Sequence, residues 1–250
     1  MALQRITQPT AALVRAATAY DWIVQMWGLP STPIAALALD RVAHRIRPSA
    51  EPLAGSAVCA RFVRGFRWAA DDDGDDTWRL CGLSGSGDAV DGGVVDGRSW
   101  LVATWQHRDA RRTRVSFVDV TDSTAIRYTH VLLGEPAFDH RGATFRDVAC
   151  EACGVAWYGD RLYVCEPLGG LRVFALDQIK AVPRGDRSMI GRQADGSYRA
   201  HGERCVAPQI ATYEPLPGFR HGWSFCSIDR SVSPHALVTG EYDDGPSPLY

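Results

Sequence analysis

The sequence has almost no lysine. Lys180 stands alone, and the other basic residues are arginine. That skew fits a high-GC genome and carries no functional message. Charge of either sign is not in excess: 27 basic against 29 acidic residues leave a net charge of −2. Without a basic field, nothing draws the chain to nucleic acid or to an anionic membrane surface. Long apolar runs are missing too. The longest clean stretch near the start, Ile34 to Leu39, is too short to span a bilayer or to form an export-signal core. The expected location is therefore cytoplasmic. Seven cysteines, an odd number, are then expected to be thiols in a reducing compartment.

What remains is the composition of a globular protein, with 46% hydrophobic and 22% charged residues over 250 positions. That is enough chain for a substantial core. Residues 10 to 47 predict two helices. Val14, Ala17, Tyr20, Val24 and Trp27 fall three or four apart, and Gly28 and Pro30 end that run. Thr32-Pro33 restarts a helix carrying Ile34, Ala38, Val42 and Ile46, closed by Pro48. This N-terminal helical hairpin with its linker takes residues 1–57, and a β-repeat domain takes 58–250.

Strand patterns dominate the second part. Val155-Ala156-Trp157-Tyr158, Gly159-Asp160, and Arg161-Leu162-Tyr163-Val164-Cys165 read as a hairpin with a two-residue turn. Gly169-Gly170 and Leu171–Leu176 extend it to a three-stranded antiparallel meander over 153–176. The plan recurs upstream around Cys81–Leu83, Trp100–Trp105, Arg114–Val120 and Tyr128–Leu133, and begins again at Trp223–Ile228 and Ala236–Glu241. Gly82, Gly154 and Phe225 mark equivalent points, about seventy residues apart. The expected fold is mainly β: propeller-like repeats of four-stranded antiparallel units, two full and a partial third, incomplete at the C-terminus.

Residues 77–180 resemble a group of uncharacterised, mostly secreted, propeller-like proteins of high-GC, actinobacterial-type bacteria. The phrases that carry the likeness are Gly82-Leu83-Ser84-Gly85-Ser86-Gly87-Asp88-Ala89, Arg114-Val115-Ser116-Phe117-Val118-Asp119 and Gly154-Val155-Ala156-Trp157-Tyr158-Gly159-Asp160-Arg161-Leu162-Tyr163-Val164. The resemblance implies an extracellular location as the alternative to a cytoplasmic one. It implies no reaction.

Four groups of residues carry candidate chemistry. Asp71, Asp73 and Asp75, alternating around Gly74, are candidate oxygen ligands for Ca²⁺, although the EF-hand spacing is absent; the other reading is a solvated acidic loop. Cys150 and Cys153 have the spacing of half a zinc site, a redox pair or a disulfide, with Cys165 and His140 as further candidate ligands. The Ser84–Asp88 segment matches neither a nucleophile elbow nor a phosphate loop. Among the histidines no pair has the spacing of a helical metalloprotease. Asp88, Glu166 and His221 are the set a channel mouth would use, to bind a ligand or a divalent cation. The function expected is a binding or interaction module for a ligand or protein partner. The alternative is a metal-dependent hydrolase of lactonase or esterase type built on those carboxylates and histidines.

Overall fold

Local signals and long-range pairing divide the chain between them. The computed structural model describes residues 14–46, 65–109, 112–148, 150–152, 154–166, 170–215 and 223–240. Along the chain come β1 (Val14–Ala19), α1 (Asp21–Gln25), a single 3₁₀ turn (Ile34–Ala36), β2 (Arg41–Val42), β3 (His44–Ile46) and β4 (Gly65–Arg67). Next are α2 (Ala70–Asp73), β5 (Trp78–Gly85), α3 (Ser86–Ala89), β6 (Trp100–His107), β7 (Thr113–Asp119), β8 (Arg127–Asp139) and β9 (Gly142–Asp147). Then follow β10 (Gly154–Tyr158), β11 (Arg161–Glu166), β12 (Gly170–Ala175), β13 (Lys180–Ala181), β14 (Ile190–Arg192) and β15 (Tyr198–Ala200). The last three are β16 (Cys205–Pro215), β17 (Phe225–Asp229) and β18 (Ala236–Gly240). The protein is mainly β. No helix among the described residues is long and apolar enough to cross a membrane.

The strands follow one path, β10-β11-β12-β16-β8-β7-β6-β5, which curls into a nearly closed, barrel-like sheet. Two antiparallel meanders form its halves: β5 to β8, and β10 to β12 with β16 added to the edge of β12. They join where β16 runs parallel to β8 over Val206–Pro208. At the other seam β5 faces β10 without a ladder. There the Trp157 amide donates to Ser84 Oγ at 3.0 Å, and Thr104 Oγ1 donates to the Ala152 carbonyl at 3.2 Å. The enclosed core takes Val102, Val115, Phe117 and Val131 from one half, and Trp157, Leu162, Val164 and Phe174 from the other.

The three antiparallel strands predicted within 153–176 are present as β10, β11 and β12, with residues 153 and 167–169 outside the described residues. The first turn has Gly159 at φ 57°, the left-handed conformation that glycine adopts freely. The strands expected around residues 81, 100, 114, 128, 225 and 236 are also present.

Over the described part of 10–47, residues 14–46, the helical hairpin is not present. Residues 14–19 form a strand along β16, from Val14 opposite Pro215 to Ala19 opposite Ala211. Among the described residues of this stretch only Asp21–Gln25 is α-helical, burying Ile23 and Val24. The second expected helix stops after its first turn. Ile34 and Leu37 enter the core, but Val42 is 53% exposed and pairs in β2 with Arg127 of β8. The reason is competition. Helix propensity in a short segment is worth tenths of a kcal/mol per residue, and open sheet edges at β16 and β8 offer ladders that outweigh it. The expected domain boundary at 57/58 lies outside the described residues.

Candidate functional site

The three strands β6, β7 and β8 have two faces of opposite character. Val115 and Phe117 of β7 point into the apolar core, whereas Arg114, Ser116 and Val118 point outward. Cross-strand register sets Trp105 opposite Arg114, Ser116 opposite His130, and Val118 opposite Tyr128. These outward side chains are themselves buried beneath the segment that runs from Trp68 through α2. Trp68 packs edge-on against Trp105 and Tyr128, with ring centroids 4.8 and 4.9 Å away.

Asp72, brought in by α2, is the centre of this layer and is 5% exposed. Its Oδ1 accepts from His130 Nε2 at 3.0 Å and from an Arg114 guanidinium nitrogen at 3.1 Å. Its Oδ2 accepts from Tyr128 Oη at 2.5 Å and from Arg41 at 2.8 Å. Tyr128 Oη also accepts the Ala69 amide at 2.9 Å, which pins the start of α2. Burial alone pushes the Asp72 carboxyl up. The His130 hydrogen bond, then Tyr128 and the Arg114 charge, outweigh it and hold the group well below the usual carboxylate range. Burial holds His130 below the ordinary imidazole range, and burial together with the bond to Asp72 pushes the Tyr128 phenol up.

The network fixes the tautomer of His130. Trp105 Nε1 donates to Ser116 Oγ at 2.7 Å, the hydroxyl donates to His130 Nδ1 at 2.8 Å, and Nε2–H donates to Asp72. Serine, histidine and aspartate are thus connected as in a nucleophile–base–acid relay. Ser116 is fully buried, however, and its oxygen already holds an indole N–H, so no substrate carbonyl reaches it. The relay is a prop that fixes the Asp72 carboxylate.

Above this floor opens a cavity of about 540 Å³. Arg41, Asp72 and Arg114 reach it from below. Arg114 lies 4.2 Å from the Trp78 ring and 5.3 Å from that of Trp105, and contacts Glu203 at 3.4 Å. Trp78 and His107 meet edge-on along one wall. Burial, followed by the Arg112 charge, keeps His107 below the ordinary imidazole range. The segment 184–203 forms the other wall. His201 holds that segment at a left-handed φ of 52°, with Nδ1 2.7 Å from the Arg187 carbonyl and Nε2 3.0 Å from Asp147. A non-glycine residue in that conformation persists only where its surroundings over-determine it, as they do here.

The residues singled out from sequence fall elsewhere or at the margin of this cleft. Asp71 is exposed and pairs with Arg41 at 2.8 Å. Asp73 is exposed on α2, and Asp75 accepts from the amide and hydroxyl of Thr77. Positions 71 and 73 of a helical turn do not face each other. Among the described residues no three His, Cys, Asp or Glu side chains are grouped to hold a metal ion. Asp88, in α3, accepts from Ser84 Oγ at 2.8 Å, near the Gly159 end of the β10–β11 hairpin. Glu166 lies at the opposite end of that hairpin, paired with Arg172 at 3.0 Å, so the two carboxylates are not brought together. His221 and Cys153 are outside the described residues. Cys150 is buried beside Thr113, Cys165 is buried in β11, and His140 is exposed at the β8–β9 turn.

Asp72, Arg114, Ser116, Tyr128 and His130 were not singled out by sequence reasoning. A signal was present: Arg114-x-Ser116 and Tyr128-x-His130 place polar groups at period two inside apolar strands. Comparison with known protein families, curated proteins and solved structures finds no match to this chain.

Proposed function

We propose that the protein is a propeller-like binding module whose ligand site is the cleft over Asp72 and Arg114. The observation that carries the reading is the cleft itself. It has the size of a small-molecule site, and its charged floor is held rigid by a buried hydrogen-bond network before any ligand arrives. The propeller-like part draws support from the first strands of the three expected units, β5, β10 and β17. A Cβ on Gly82 would meet Val155 at 3.0 Å, and a Cβ on Gly154 would meet Phe225 Cα at 2.5 Å. The same close approach of neighbouring strands thus recurs after about seventy residues.

A panel of cationic, anionic and neutral small molecules, screened by ligand-observed NMR, tests the binding site. Thr77→Trp puts bulk on the rim and should abolish the specific hits. Leu83→Gln, at an exposed position of β5 outside the cleft, should leave them intact. A panel in which no compound depends on Thr77 overturns the reading.

A further inference from the structure

The charges around the cleft do not cancel evenly. Asp71 and Asp72 already hold Arg41, and Asp72 and Glu203 already hold Arg114. Arg184 lies 3.5 Å from Asp40. Asp75 is occupied by Thr77. Two lining guanidiniums, those of Arg112 and Arg187, have no ion-pair partner among the described residues.

Hydrogen-bond donors point the same way. Among the described residues the Nε–H groups of Arg112 and Arg114 are both buried without an acceptor, and the Arg114 side chain is 5% exposed. Arg112 extends the β6–β7 ladder, because its carbonyl accepts the His107 amide at 3.0 Å. Positions 112 and 114 therefore share one strand face, and both side chains line the cleft. A buried N–H left without an acceptor is costly, and native proteins rarely keep two side by side.

We propose that this cleft binds the oxyanion of a small ligand, a phosphate or carboxylate group, between Arg112 and Arg187 with Arg114 behind it. The inference rests on the cleft being the ligand site and adds the chemical class of what it takes. Guanidinium forks match such oxygens in geometry as well as charge. The carboxylates in the floor keep Arg114 in place, and their own charge is already met by Arg41 and Arg114.

The full chain, with ¹⁵N-labelled arginine, is titrated with inorganic phosphate and separately with acetate at constant ionic strength. The Nε–H resonances of Arg112 and Arg114 should move and saturate with at least one of them, and the anion that works names the source. Arg112→Gln and Arg187→Gln should each weaken binding about tenfold. Arg112→Lys should not restore it, since the ammonium lacks the fork. Among the described residues neither is ion-paired, so neither variant should melt below wild type, which separates lost binding from lost fold. Resonances unmoved by both anions overturn the inference. So does an affinity that neither Gln variant changes, or binding that persists in Thr77→Trp. If neutral or cationic compounds still depend on Thr77 while phosphate and acetate leave the arginines unmoved, the cleft stands as a site and the oxyanion falls.

Discussion

The two faces of β6–β8 are both buried and chemically opposite. Inward, Val102, Val115, Phe117 and Val131 are fully buried in an apolar core. Outward, Trp105, Arg114, Ser116 and His130 are buried almost as completely around a carboxylate. The inner face is held by non-directional burial of area, to which any residue of the right size contributes. The outer face is held by a closed set of donors and acceptors, in which each group depends on the others. Its stability is therefore conditional: removing one member leaves the rest buried and unsatisfied.

The largest effect should come from removing the shared acceptor. Asp72→Ala should cost about 3–5 kcal/mol in urea unfolding, because Arg114, Arg41, Tyr128 and His130 each lose an acceptor, three of them well inside the layer. Phe117→Ala on the inner face should cost a similar ~3–5 kcal/mol through the cavity it leaves. The two differ in how they are repaired. Asp72→Leu combined with Arg114→Met should be less destabilised than Asp72→Leu alone, since charge and counter-charge leave together. A double variant no better than the single one would break the comparison.

Ser116→Ala should cost about 1–3 kcal/mol by stranding the Trp105 indole N–H and His130 Nδ1. The Trp105 indole resonance should shift in this variant. It should stay in place in Val115→Ala, one residue away on the other face.

Acid should act on the outer face alone. His130 is held below its ordinary value of 6.5 in the fold, so below that pH the unfolded chain binds a proton that the native state refuses. Stability should fall as pH drops from 7 toward 5, by up to about 1.4 kcal/mol per unit, with half-buried His107 adding a smaller slope of the same sign. The Asp72 contribution has its own window. It is complete above the ordinary carboxylate value of 3.8 and is lost as pH falls from there toward the depressed value in the fold. His130→Gln should flatten the slope between pH 7 and 5 in thermal melts. An unchanged slope would move the effect to another group.

The smallest change should be at Asp71. It touches the same arginine as Asp72 but is exposed, so Asp71→Asn should alter stability by no more than about 1 kcal/mol. Equal losses for Asp71→Asn and Asp72→Asn in the same urea assay would mean that burial does not separate these neighbours.

The acidic run drew attention in the sequence for its alternate residues, yet the structure uses the one between them. Composition and spacing show that carboxylates are crowded; they do not show which one faces the sheet. The helical expectation at the N-terminus met the same limit. Its spacing was real, but β16 and β8 had open edges to fill.

By itself the sequence determined what short-range chemistry can determine. Between residues 154 and 176, a glycine able to take φ 57° and apolar strands of matching length leave a hairpin as the local minimum, and it forms. Tertiary structure decided the cleft. Asp72 meets Tyr128 and His130 across 56 and 58 residues of chain. Its choice over Asp71 and Asp73 follows from where α2 lands on the outer face of the sheet. A carboxylate acquires its partners, its ionisation and its rigidity only when distant strands are in register, because hydrogen bonds and burial act over ångströms and take no account of sequence separation.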